Sequence, residues 1–212
     1  MKIMKKIINY ISAGLLMVSV ASCDVYETWG EGDPALEHTY YVGPVKTNLS
    51  TEQLEYEIDA AGVARWKKYE LTSTAPVAWA WEYSDETNVT TPIPIRFISE
   101  RIRSYNVVSY FWITSALTAG TDYSVLAGDG TPLTPNAQGA YSLTWPQAKK
   151  GVQSVKIKRL SAAAGALKLN ALNPDLMPVD RNNLETLLNN QTSDYVVKGI
   201  SFDYNTLTIT FL

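Results

Sequence analysis

The chain has 212 residues, 18 Lys and Arg against 21 Asp and Glu, 46% hydrophobic side chains, one Cys and one His. A lone cysteine excludes an internal disulfide, and one Cys with one His leaves no cluster for zinc. The acidic balance argues against nucleic acid or an anionic membrane surface as the main partner, because both select clustered Lys and Arg.

Lys2, Lys5 and Lys6 form a positive start, and Ile7 to Val20 form an apolar stretch interrupted by Asn9, Ser12 and Gly14. The stretch is shorter than the roughly 20 apolar residues of a membrane span, and it has the layout of a secretory signal. It closes on Val20-Ala21-Ser22-Cys23. That run resembles the lipobox of bacterial lipoproteins. The resemblance implies cleavage after residue 22 and a diacylglycerol on the Cys23 sulfur, which makes Cys23 the expected lipidation site. Without residues 1–22 the chain keeps 15 basic and 21 acidic residues, a net charge of −6.

Residues 23–38 hold five acids, no Lys or Arg, two glycines and a proline, with no period of 2 or 3.6. They read as an acidic flexible tether containing the single histidine, His38. Asp24 and Glu27 fit equally an export signal to the cell surface and a linker kept soluble by charge.

From residue 39 to 212 the period is 2, as expected of one strand-built domain. Leu54, Tyr56 and Ile58 alternate with acids, and Val77, Trp79, Trp81 and Tyr83 alternate with Ala78, Ala80 and Glu82. Ile93, Ile95 and Phe97 follow, with Pro92 and Pro94 predicting an edge strand because proline cannot donate to a ladder. Tyr105 to Ser115 is apolar on both parities, as in a central strand. Val155 and Ile157 alternate with Lys156 and Lys158, and Leu207, Ile209 and Phe211 alternate with threonines. Asp129-Gly130 predicts a tight turn. One short helix is expected near residues 180–189, with Asp180 as its cap and Leu184, Leu187 and Leu188 as its stripe. Many short strands and one helix predict a mainly β chain folded as an antiparallel β-sandwich.

Tyr105-Asn106-Val107-Val108, Ala119-Gly120-Thr121-Asp122-Tyr123-Ser124-Val125, Tyr141-Ser142-Leu143-Thr144-Trp145-Pro146, the lysines at 149 and 150, and the strand from Val152 to Lys158 carry a specific likeness. Together they resemble the Ig-like N-terminal domain family, a domain of unknown function in Bacteroidetes surface lipoproteins linked to polysaccharide-utilisation loci. The resemblance implies an Ig-like sandwich on the outer membrane beside a polysaccharide transport system. The chain lacks the glycine that the family carries after Pro146, and it lacks the C-terminal carbohydrate-binding module of longer relatives.

No nucleophile–histidine arrangement, phosphate loop or dinucleotide fingerprint is legible, and no cofactor or metal site is expected. Glu82, Asp85, Glu100, Asp122 and Asp203 could supply two carboxylates for glycoside hydrolysis, but no spacing singles out a pair. The chain is therefore expected to be no enzyme. The remaining feature is its aromatic content, with six Trp, 13 Tyr and four Phe. Sugar rings stack on such side chains, whose polar tips hydrogen-bond hydroxyls. Trp79 and Trp81 share one face of a strand with Tyr83, where packing into the core is the favoured reading over a glycan stripe. Tyr110 and Trp112 fall on the parity opposite Val107, Phe111 and Ile113, so they are the better exposed candidates. The leading expectation is a cell-surface lipoprotein binding glycan as a non-catalytic accessory of polysaccharide uptake. The alternative is a structural or protein-interaction module without a sugar ligand.

Overall fold

The computed structural model describes residues 37–45, 55–69, 79–83, 92–176, 180, 182–200 and 205–212, with side chains described at all of these except 55, 66–69, 79–83 and 184. The signal segment, Cys23 and the tether up to residue 36 lie outside the described residues. A folded unit runs from His38 to Leu212.

The unit is a β-sandwich of two mixed sheets. Thirteen strands follow in chain order among the described residues. They are β1 (Thr39–Pro44), β2 (Glu55–Ile58), β3 (Ala64–Tyr69), β4 (Trp79–Tyr83), β5 (Ile93–Ile98), β6 (Val107–Ser115), β7 (Tyr123–Ala127), β8 (Ala140–Trp145), β9 (Gly151–Arg159), β10 (Gly165–Asn170), β11 (Leu188–Gln191), β12 (Val196–Gly199) and β13 (Thr206–Phe211). One sheet has the order β11-β12-β1-β5-β9-β7 and the other β4-β3-β2-β13-β10-β6-β8. Pairing is mostly antiparallel, as expected. Two joints depart from that expectation, since β1 with β12 and β2 with β13 run parallel.

Alternation explains both sheets. Ile93, Ile95, Phe97, Val155 and Ile157 point inward from the six-stranded sheet, and Ile58, Val107, Phe111, Leu169, Ile209 and Phe211 from the seven-stranded one, each 2% exposed or less. Burying a side chain of this size contributes roughly 2 kcal/mol, so the two facing rows are the principal source of stability. Aromatic rings stack through the middle, Tyr40 on Phe97 at 5.4 Å and Phe97 on Trp145 at 4.8 Å.

Two local expectations are corrected. Strand β5 lies between β1 and β9 rather than at an edge. Main-chain groups of alternate residues in an antiparallel sheet face alternate neighbours. The Pro94 carbonyl accepts from Val45 N at 2.8 Å, so its missing N–H faces the same neighbour one residue past the end of β1, where a single ladder bond is forgone at the end of the pairing rather than in its middle. The segment 180–189 is not an α-helix. It makes one 3₁₀ turn, Leu184–Leu187, capped by Asn183 Oδ1 accepting from Glu185 N at 3.0 Å, and then enters β11. Asp180 serves a local turn instead, accepting from Asn182 N at 2.9 Å. The helix stops short because Asn189 and Asn190 are extended, with their side chains bonded to β6.

The turn after Pro146 is built without glycine. Gln147 and Ala148 hold φ of 54° and 51°, the left-handed region that favours glycine. They are held there by Asn106 Oδ1, which accepts from Gln147 N at 3.0 Å, and by Arg103 N, which donates to Gln147 O at 2.7 Å.

Arg159, at the end of β9, is the polar joint between the sheets. It is 6% exposed. Its Nη1 donates to Ile58 O and Leu212 O at 2.9 and 2.8 Å, its Nη2 to Ala162 O and Ala163 O at 2.9 Å each, and its Nε to Ser161 O at 2.8 Å. All five donors are used, and the guanidinium lies 5.0 Å from the Phe211 ring centroid. Each charge-assisted bond of this kind is worth about 1.5–3 kcal/mol when its removal strands a buried partner. Arg159→Ala is therefore expected to cost about 3 kcal/mol or more in denaturant unfolding. Arg159→Lys should recover less than half of that loss, since an ammonium carries three donors without the planar fork.

Candidate functional site

The sequence nominated two aromatic pairs, and the sheet order separates them. Trp79 and Trp81 lie on β4, in register with Tyr69 and Lys67 of β3. Tyr110 and Trp112 lie on β6, five strands away in the same sheet. At about 4.8 Å per strand this is about 24 Å, so the four do not form one site. The side chains of Trp79 and Trp81 lie outside the described residues.

Strand β6 turns Val107, Ser109 and Phe111 inward. Ser109 is satisfied there by the indole of Trp145, whose Nε1 donates to its Oγ at 2.8 Å. The other parity puts Tyr110, Trp112 and Thr114 on the outer face. Cross-strand register sets Tyr110 beside Ser142, Trp112 between Ala140 and Asn170, and Thr114 beside Lys168. Thr206 and Thr208 of β13 continue the same rows. The face thus carries exposed hydroxyl and ammonium groups at Ser142, Thr114, Lys168 and Thr208, with Asn170 buried beside Trp112 and the Tyr110 and Trp112 ring centroids 6.1 Å apart at 56°.

The two rings differ in access. Tyr110 is half-buried, whereas Trp112 is only 8% exposed. Trp112 therefore offers no open face for stacking, contrary to its expected exposure. It is covered because it sits between two neighbouring strands, with the Tyr110 ring beside it. Its Nε1 is buried without a hydrogen-bond partner, an unusual state for an indole donor. Tyr110 is the ring left partly open.

Side chains from the opposite sheet hold this stretch of β6 in place. β10 pairs with β6 only as far as Trp112, and beyond it the free edge is met by β11 and β12. Asn189 Oδ1 accepts from Tyr110 N at 2.9 Å, while its Nδ2 donates to Tyr110 O at 2.7 Å and to Ala171 O at 2.6 Å. Asn190 Nδ2 donates to Val108 O at 2.7 Å, and the Tyr195 hydroxyl accepts from Val108 N at 3.0 Å. Two amides and a phenol thus stand in for a missing strand.

A second cluster was not foreseen. His38, read from the sequence as part of the tether, belongs to the folded unit, and its carbonyl accepts from Val196 N at 2.9 Å. Its Nδ1 lies 2.8 Å from the Tyr105 hydroxyl, which in turn lies 2.8 Å from that of Tyr40. The Tyr105 ring stacks on Tyr195 at 5.9 Å and 8°. Burial and the bond to Tyr40 push the Tyr105 phenol well above the ordinary tyrosine range, so it stays protonated and serves as a hydrogen-bonding post rather than a base. No local pattern could reveal this group, because its members are up to 157 positions apart along the chain.

Of the five carboxylates named above, the side chains of Asp122 and Glu100 are described. Asp122 is spent on structure, its Oδ2 accepting from Thr118 N at 2.8 Å and its Oδ1 from Ser161 Oγ at 2.7 Å. Asp129 accepts from Thr131 N at 2.9 Å in the turn it shares with Gly130. Glu100 is exposed at the end of β5. The side chain of Glu82, and Asp85 and Asp203 entirely, lie outside the described residues. Among the described residues no group of three or more His, Cys, Asp and Glu could hold a metal ion.

The bond from Ser161 and then that from Thr118 hold Asp122 below its ordinary value of 3.8, and the bonds from Thr131 do the same for Asp129. A carboxylate with a lowered folded value contributes stability that is complete above the unfolded value and is lost as pH falls through the folded one. Melting temperature is therefore expected to fall as the protein is acidified below pH 3.8. The fall should be shallower in an Asp122→Asn/Asp129→Asn double variant followed by scanning calorimetry.

No protein-family model matches the chain, and no curated protein matches it. Among solved structures it is similar to one described as "Structure of the N-terminal domain of PorA", at 8% identity over 81% of this chain and 96% of that one, with a TM-score of 0.28. At that TM-score the likeness carries no argument about fold or function.

Proposed function

We propose that this chain is a lipid-tethered, non-catalytic protein of the bacterial outer membrane, facing outward, and that the outer face of β6 and its neighbours binds glycan for a polysaccharide-uptake system. The observation that carries the reading is the half-buried Tyr110 ring beside exposed Ser142 on the outer face of β6, with exposed Thr114, Lys168 and Thr208 further along the same face. One partly open ring with a hydroxyl beside it, and further hydroxyl and ammonium groups along the face, suits a saccharide, which offers an apolar C–H face and hydroxyls at its rim. The covered Trp112 lies under this face as its support and optical reporter, not as its stacking platform. The lipobox-like run ending at Cys23 supports the tether, and the family resemblance between residues 105 and 158 supports the uptake context.

The experiment is affinity electrophoresis and tryptophan emission against a broad polysaccharide panel. A bound glycan is expected to retard the protein and shift its emission, with the shift lost in Trp112→Phe. Tyr110→Ala should weaken binding about tenfold, a difference of about 1.4 kcal/mol. Retention that is unchanged in Tyr110→Ala, or no response to any polysaccharide, would remove the glycan reading and leave a protein-interaction module. In the same strains mass spectrometry should find a diacylglycerol on Cys23, and Cys23→Ser should release the protein from the membrane fraction.

A further inference from the structure

The positive charge of this acidic chain is concentrated in two stretches. Residues 92–121 and 146–160 hold eight Lys and Arg and a single acid, Glu100, while the rest of the chain after residue 22 holds seven basic and 20 acidic residues. The fold brings the two stretches together. β5 pairs with β9 so that Arg96 faces Val152 and Phe97 faces Gly151, and Arg103 N donates to Gln147 O at 2.7 Å, joining the loop after β5 to the turn before β9. The buried Ser99 hydroxyl, donating to Arg101 O at 2.8 Å, pins that loop from within.

This corner is also where aliphatic surface is left open. Ile98, Ile102 and Val152 are 41%, 56% and 54% exposed, and they stand among exposed Arg96, Arg101, Lys149 and Lys150. Arg96, Arg101 and Lys149 form no ion pair with any described residue, although Glu100 is adjacent to Arg101 in the chain. Further along the same outer sheet face stand Lys156 and Lys158, while Lys198 is paired with Glu185 at 3.1 Å.

We infer that this corner is a docking surface for a lipid bilayer bearing anionic headgroups. Cations there meet headgroup phosphates, and branched aliphatics of this size enter the boundary between headgroups and acyl chains. The composition favours lipid over the other anionic partners. The open apolar surface of the patch is aliphatic, with one half-buried ring beside it, Tyr41 in register with Ile98. An acidic polysaccharide would be expected to find open rings to stack on, whereas a single Tyr beside aliphatics suits a membrane interface. A protein interface is ordinarily rich in aromatics, Met and Arg and poor in Lys. The patch has the arginines but two lysines and only one half-buried ring beside them. The inference is independent of the glycan reading, which uses the outer face of the other sheet.

The test uses the full chain as Cys23→Ser, so that no acyl group contributes, in sedimentation with phosphatidylcholine vesicles with and without phosphatidylglycerol. Anionic vesicles are expected to bind at least about tenfold more tightly than neutral ones, with the gain vanishing at high salt. Arg96→Glu/Arg101→Glu/Lys149→Glu should erase the gain, and Lys168→Glu, an exposed reversal on the other sheet, should leave it intact. All variants keep Lys2, Lys5 and Lys6, so the contribution of the N-terminus cancels. Ile102→Ser, which changes no charge, should weaken the anionic binding several-fold. Equal loss in Lys168→Glu, or full binding in the triple variant, would overturn the proposal. So would displacement by dextran sulfate with Ile102→Ser unaffected, which would identify a soluble polyanion as the ligand. If melting shows that the triple Glu variant is unfolded, the Gln set at the same three positions gives the same reading.

Discussion

A guanidinium buried between two sheets is the constraint around which this sandwich is arranged. Arg159 brings a full charge into the interior and leaves no donor unsatisfied, because the ends of β2 and β13 and the loop after β9 all present carbonyls to it. Desolvating a charge is tolerable only when its donors are all met, so each of those chain ends has to arrive at one place. The parallel insertion of β13 beside β2 is what delivers Ile58 O and Leu212 O together. Apolar packing supplies most of the stability and accepts many registers. The arginine selects one.

The same logic operates at the opposite seam. β10 leaves one edge of β6 between Val107 and Phe111 without a strand, and an unsatisfied strand edge inside a closed sandwich would be costly. Asn189, Asn190 and Tyr195 reach over from the other sheet and complete the ladder with side chains. This fixes the backbone at Tyr110, which is the residue that the proposed glycan face depends on. Binding surface and fold are joined here, since the group that orients the ring is also the group that closes the sandwich.

Much of the architecture was legible in advance, and the failures have local causes. Ile93, Ile95 and Phe97, or Leu207, Ile209 and Phe211, declare their inward face by alternation alone. Pro94 misled because it meets its neighbour at the end of the pairing, where one missing donor is tolerated, and sequence does not say where β1 ends. The leucines near 184–188 misled because helical spacing competes with what Asn189 and Asn190 are needed for, and that need arises from β6, some 80 positions away. Trp112 was assigned to the correct face but to the wrong exposure.

Taken alone, the sequence determined the period-2 strands, the inward and outward parity of those such as β5, β9 and β13 whose side chains are described, and the tight turn at Asp129-Gly130, since all of these are written in neighbouring residues. It also determined the net charge, but a net charge is a sum without positions. Only the tertiary structure decided that Trp112 is covered while Tyr110 stays partly open, that His38 meets Tyr105, and that the basic residues of two distant stretches share one corner with open aliphatics. The physical reason is the same in each case. Exposure, hydrogen bonding and local potential depend on which strands become neighbours, and cross-strand neighbours here are set by pairings between residues tens to more than a hundred positions apart.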